Sequence, residues 1–147
     1  MPSWSAGARV AINDATERAE VSPGYHLVHR SWEPGDLVTL HLDMTPRWTY
    51  PDRRVDAVRG CVAIERGPLV YCFEQADQLD GARLEDLVIR PGGVLGERPV
   101  SLAGIGQTIE VTAEGQVVGG APVTAIAIPY FQWDNRDGQA MRVWMPH

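Results

Sequence analysis

Short runs of alternating apolar and polar residues recur along the chain, each closed by glycine or proline. Residues 8–14, ARVAIND, set Ala8, Val10 and Ile12 against Arg9, Ala11 and Asn13. A turn at Ser22-Pro23-Gly24 precedes the run 25–32, and Glu33-Pro34-Gly35-Asp36 separates that run from 37–44, with Pro34 where a turn needs its φ fixed. In 37–44, Val38, Leu40, Leu42 and Met44 share one face and Thr39, His41 and Asp43 the other, the pattern of a half-buried antiparallel strand. The runs 25–32 and 37–44 read as a hairpin. Residues 60–74 hold two strand-like runs interrupted by Gly67-Pro68. Pro68 cannot donate a ladder hydrogen bond and belongs at a bulge, bend or edge. Residues 107–115 alternate again, Ile109 and Val111 against Glu110 and Thr112. The span 75–106 is the most loop-like and reads as a loop-rich insertion. No segment sustains helical periodicity. Short strands with a turn every eight to twelve residues or so predict an all-β chain with little or no helix: one antiparallel, jelly-roll-like β-sandwich over residues 1–147.

Composition narrows the partners. Hydrophobic residues make up 44% of the 147 and charged residues 22%, enough apolar surface for a core without disulfides or metals. The net charge of −6 argues against nucleic acid, because phosphate binding needs a basic surface. No apolar run approaches the roughly 18–20 residues of a membrane helix, so no membrane partner is expected. All 13 basic residues are arginine, so no single arginine stands out. The opening MPSWSAGARV has neither the basic start nor the apolar stretch of a signal peptide, and a cytoplasmic location is the expectation. That opening also enters a strand pattern abruptly, as a chain cut from something longer would.

Candidate chemistry is sparse. His26 and His29 are three apart, which on a strand turns them to opposite faces; His41 shares a polar face with Thr39 and Asp43. Metal binding by this set is not expected. Glycoside hydrolysis uses two carboxylates flanking one bond, but Glu65, Glu74, Glu85, Asp86 and Glu110 occur singly and read as solvent-facing charges. There is no Gly-x-Ser-x-Gly elbow, phosphate-cradling glycine loop or HExxH. Cys61 and Cys72 are too few for a disulfide scaffold or a four-thiolate zinc site and read as buried free thiols, a cross-strand disulfide being the alternative. No catalytic residue, metal site or cofactor is assigned to this chain.

The densest signal is IPYFQWDNRDGQAMRVW, residues 128–144. Its aromatics stand beside Asp134, Asn135, Arg136 and Asp137, a composition common to sugar sites and to hairpin cores. Read as two strands around a loop closed by Gly138, it is a central hairpin. Burying three large aromatics removes roughly 500 Å² from water, on the order of 10 kcal/mol. Tyr130 and Trp144 are therefore expected to be mostly buried. Tyr130, Trp133, Asn135 and Arg136 are the candidate contacts, with a neighbouring domain or with carbohydrate.

Four stretches resemble the C-terminal part of glycoside hydrolase family 127, the β-L-arabinofuranosidases and their relatives. PSWSAGARVAIND is similar to the family's entry strand. GYHLVHRSWEPGDLVTLHLDM resembles a pattern that shares Gly24, Tyr25, Trp32, Gly35, Asp36, Leu40 and Met44. VAIERGPLVYCFE carries Arg66, Gly67, Pro68, Leu69, Val70, Tyr71 and Cys72 of another. IPYFQWDNRDGQAMRVWMP carries Ile128, Pro129, Tyr130, Trp133, Asn135, Arg136, Met141, Val143, Trp144 and Pro146 of a fourth. The departures are Asp43, where the pattern has Pro, and Asp137 in a Gly-rich turn. The resemblance implies a bacterial carbohydrate-metabolism enzyme whose N-terminal helical barrel holds the catalytic Glu and zinc-binding Cys residues. This chain would then be a non-catalytic accessory sandwich, with that barrel as its partner and a homodimer or a carbohydrate as further candidates. Cys61 and Cys72 do not match the zinc motif. The alternative reading is a carbohydrate-binding module that uses exposed aromatics.

Overall fold

The computed structural model describes residues 4–5, 7–13, 15–17, 24–78, 81–102, 104–135 and 138–147. Among these, every strand pairing is antiparallel and the only helical elements are single 3-10 turns, as the alternation predicts. The sequence was read as one domain; the chain divides into two compact units, 1–45 and 46–147.

The first unit holds a three-stranded sheet in the order β2-β1-β3, made of β1 (Arg9–Ile12), β2 (Ala15–Glu17) and β3 (Val38–His41). β3 pairs with β1, Val10 opposite Leu40 and Ile12 opposite Val38. This corrects the expected hairpin, because Tyr25–Ser31 contains no assigned strand. The Glu33–Asp36 turn forms as read: the Asp36 N–H donates to the Glu33 carbonyl at 3.1 Å, and Gly35 takes φ +98°, which glycine alone adopts readily. Of the turn at 22–24, only Gly24 lies within the described residues. The apolar face of β3 departs from expectation too. Val10 and Ile12 are buried, but Val38 and Leu40 on the same face remain half exposed.

Asp36 joins the β1 end to this turn. Its carboxylate accepts from the Glu33 N–H at 2.9 Å and the Asn13 amide at 2.6 Å. The Asn13 carbonyl oxygen in turn accepts from the Leu37 N–H at 2.9 Å. The Glu33 N–H first, then the Asn13 amide, hold the Asp36 carboxyl below the usual carboxylate range against the opposing effect of burial, with the Arg30 charge the smallest contribution. A carboxyl whose folded pKa is depressed stabilises the fold above its unfolded pKa, and that contribution is lost as pH falls through the folded value.

The second unit comprises β4 (Pro46–Thr49), β5 (Cys61–Arg66), β6 (Leu69–Glu74), β7 (Leu87–Ile89), β8 (Gly96–Leu102), β9 (Gly106–Val117), β10 (Pro122–Pro129), β11 (Met141–Arg142) and β12 (Met145–Pro146). The ladder runs β12-β5-β6-β10-β9-β7, with β4 on β5, β8 on β9 and β11 on β6. The sheet curls, so that β12 packs against β7 and the strands enclose one core of Val62, Ile64, Tyr71, Phe73, Leu87 and Met145 with their neighbours. Gly67 and Pro68 make the β5–β6 turn. The span 75–106 does more than loop: it supplies β7 and β8, and Leu84, Leu87 and Ile89 enter the core. β9 follows the predicted alternation from Val111 onward, with Val111, Ala113 and Gly115 inward, but departs from it at Ile109, half-buried, and Glu110, buried. Gly115 faces Ile89 across the β9–β7 pair. A Cβ there would stand 3.0 Å from a Leu87 methyl and 3.2 Å from the Val88 carbonyl, and the carbonyl cannot move aside.

Two outcomes follow. Gly115→Ala should lower unfolding stability by about 1–2 kcal/mol in urea titration, while Val118→Ala, at an exposed position, should leave the midpoint unchanged. Asp36→Asn should flatten the loss of thermal stability on acidification below the unfolded Asp pKa. An unchanged acid profile would show that the Asp36 cluster contributes nothing to it.

Candidate functional site

The expected central hairpin does not form. β10 and β11 both pair with β6 and not with each other. Ile128 and Pro129 lie opposite Cys72 and Tyr71, and Met141 and Arg142 lie opposite Glu74 and Phe73. The segment between them therefore leaves the sheet and returns to it. Pro129 marks the exit, since it brings no N–H to continue a ladder. Gln78 holds β10 at this point. Its amide nitrogen donates to the Ile126 carbonyl at 3.0 Å and the Glu74 carbonyl at 2.8 Å, and its oxygen accepts from the Ile126 N–H at 3.3 Å. One side chain thus stands in for a stretch of missing strand.

After Pro129 the chain makes a 3-10 turn, Tyr130–Gln132, closed by Trp133 N–H to the Tyr130 carbonyl at 3.1 Å. Asp134 then takes φ +61°, a left-handed conformation that Asp tolerates better than most residues. Asn135 secures the turn: its amide nitrogen shares its hydrogens among the carbonyls of Gln132 at 3.0 Å, Phe131 at 3.3 Å and Trp133 at 3.4 Å. Those hydrogens are spent on the protein's own backbone. Of the four residues singled out from the sequence, the turn thus unites Tyr130, Trp133 and Asn135. Arg136 lies outside the described residues, as does Asp137.

Burial is inverted here. Tyr130 is 44% exposed, Phe131 57% and Trp133 38%. Gln132 between them is 1% exposed, and neither side-chain amide atom finds a hydrogen-bond partner among the described residues. The Tyr130 and Trp133 rings lie 5.8 Å apart, tilted by 40°. The expected burial of Tyr130 is therefore corrected, and Trp144 is half-buried. The reason is Pro129, which ends the strand one residue before Tyr130, so strand alternation no longer governs the aromatics. The sequence reading also missed Phe131, placed on a strand face, and Gln132. The Pro129 break and the Asn135 cap were the signals that could have found both.

The other candidates behave as single residues. Glu74 is fully buried and Glu110 nearly so, against the expectation of solvent-facing charges. Glu110 is compensated by Arg98, whose Nε donates to its carboxylate at 3.0 Å; Glu65 pairs with Arg47 and Glu85 with Arg83. No group of three or more His, Cys, Asp or Glu could hold a metal among the described residues. Cys61 is half-buried and Cys72 buried, and neither is in a disulfide.

The family model described as the glycoside hydrolase family 127 C-terminal domain matches residues 46–146. The one described as the β-L-arabinofuranosidase, GH127 middle domain, matches residues 1–44. The boundary between them coincides with the division between the two units. The non-reducing end β-L-arabinofuranosidase of Bifidobacterium longum subsp. longum is 29% identical across 98% of this chain and 25% of its own length. A solved GH127 β-arabinofuranosidase is 28% identical with a TM-score of 0.83, over 99% of this chain and 24% of its own. A GH127 β-L-arabinofuranosidase from Geobacillus stearothermophilus T6 is 28% identical with a TM-score of 0.84, over 99% of this chain and 25% of its own. The chain thus spans about a quarter of the length of these relatives.

Asn135→Ala should cost about 1 kcal/mol and loosen the turn, seen as faster amide exchange at Trp133. Gln132→Leu should leave stability unchanged or raise it, because it removes an uncompensated buried amide; a fall of several degrees in Tm would show that the amide is satisfied in solution.

Proposed function

The chain belongs to glycoside hydrolase family 127, and on that footing we propose that it serves as a non-catalytic accessory part of a β-L-arabinofuranosidase-like enzyme, packing against a helical-barrel catalytic domain. One observation carries the reading: the Tyr130–Trp133 turn puts three aromatics outward and a glutamine inward, with Asn135 bracing the backbone. An exposed aromatic cluster on a braced turn is costly unless something covers it. Rigid aromatics are also what protein interfaces use as anchors. The carboxylates argue in the same direction. Glu65, Glu85 and Glu110 are each engaged by an arginine, an arrangement unlike the two facing carboxylates that glycoside hydrolysis requires.

A second reading is a carbohydrate-binding module, favoured by the exposed Tyr130 and Trp133 rings, which offer stacking faces. Asn135 weakens it, since its amide hydrogens already go to the turn.

Full-length enzyme and the separate chain together distinguish the readings. The chain alone should show no turnover of β-L-arabinofuranosides. It should associate with a separately produced catalytic domain, and Tyr130→Ala with Trp133→Ala should weaken that association about 30-fold or more, the cost of losing a buried aromatic anchor. Turnover by the chain alone would overturn the proposal. So would saturable binding of arabinose oligosaccharides that disappears in Trp133→Ala without any loss of association.

A further inference from the structure

A second feature of the 46–147 unit shares no residue with the aromatic turn. Between the β4–β5 connection and the final residue lies an open cleft of about 320 Å³. Its apolar wall includes Tyr50, Pro51 and Val55, and Asp52, Arg53, Arg59 and His147 supply its ionisable groups along with Cys61. The Tyr50 ring is 57% exposed and is met edge-on by the His147 imidazole, centroids 6.0 Å apart and planes at 85°. His147 is itself fixed, its N–H donating to the Gly60 carbonyl at 3.1 Å. The cleft therefore has a steadied flat aromatic face.

Its charges are unevenly satisfied. Arg54, next in the chain, is bound to Asp52 through Nε at 3.0 Å and Nη2 at 2.7 Å. The Arg54 side chain, first, and the Arg54 backbone N–H hold the Asp52 carboxyl below its usual range. Arg59 pairs with Asp56. Arg53 has no ion-pair partner among the described residues, in a cleft whose other arginine and aspartate are each held in an ion pair. A guanidinium fork matches the geometry of carboxylate and phosphate. The volume suits a ring-sized ligand: a cavity of about 150 Å³ holds benzene, and small-molecule sites begin near 300 Å³.

We propose that this cleft binds a small cyclic compound bearing a carboxylate or phosphate, its ring laid on Tyr50 and its oxyanion held by Arg53 with Arg59. The inference rests on the cleft alone and stands or falls separately from the accessory role.

Calorimetric titration of the chain with glucose, glucuronate, glucose 6-phosphate and inorganic phosphate tests it. Saturable binding of glucuronate or glucose 6-phosphate, absent for glucose, is the expected result. The tighter of the two identifies the oxyanion as carboxylate or phosphate. Arg53→Gln, at an exposed position that should leave folding intact, should weaken that binding about tenfold, and added salt should weaken it further. Tyr50→Ala should weaken the cyclic anions but not inorganic phosphate. No saturation with any probe, equal binding of glucose, or an Arg53→Gln titration matching the parent would each overturn the proposal.

Discussion

β6 is six residues long, and three strands claim it: β5 at Leu69 and Val70, β10 at Tyr71 and Cys72, β11 at Phe73 and Glu74. The rest of the 46–147 unit follows from that sharing. Tyr71 and Phe73 enter the core while Cys72 and Glu74, on the other face, are equally buried, so β6 is covered on both sides as a central strand must be. The Tyr71 hydroxyl donates to the Ile109 carbonyl at 3.0 Å, which ties β6 to the long strand β9. Burial, the largest influence on that phenol, raises its pKa and keeps it the donor. Since β10 and β11 occupy successive pairs along the same strand, the chain between them has to leave the sheet, and the aromatic turn is where it goes.

What the sequence made legible was local. Pro34 and Gly35 announced a turn; Gly67-Pro68 announced a break between strands; the alternation at 107–115 named Val111 as an inward residue of β9. Pairing was not legible, because it depends on residues far apart: nothing within 25–44 says that β3 prefers β1 to its own neighbour. Charge burial failed for the same reason. Glu110 looks solvent-facing until Arg98 is brought opposite it by the β8–β9 register. The family resemblance, by contrast, was readable from dispersed motifs, because it rests on identities and not on pairing.

The aromatic turn shows how one residue can reverse a sound energetic argument. Burying Tyr130, Phe131 and Trp133 would stabilise a hairpin considerably, but only if the strand continued through them. Pro129 forbids that, and Asn135 makes the alternative affordable by taking up the freed carbonyls. Asn135 braces the turn through its amide hydrogens, and Tyr130 and Trp133 stand partly exposed on it.

The three-stranded sheet of the 1–45 unit leaves β3 at its end, with Val38, Leu40 and Leu42 substantially exposed beside that edge. Among the described residues no strand pairs with the outer edge of β3, and a strand edge flanked by β-branched and aliphatic side chains, with no lysine in the sequence to blunt it, is a template for pairing with a further strand. A strand docking at this edge would cover those side chains as well as pair its backbone groups.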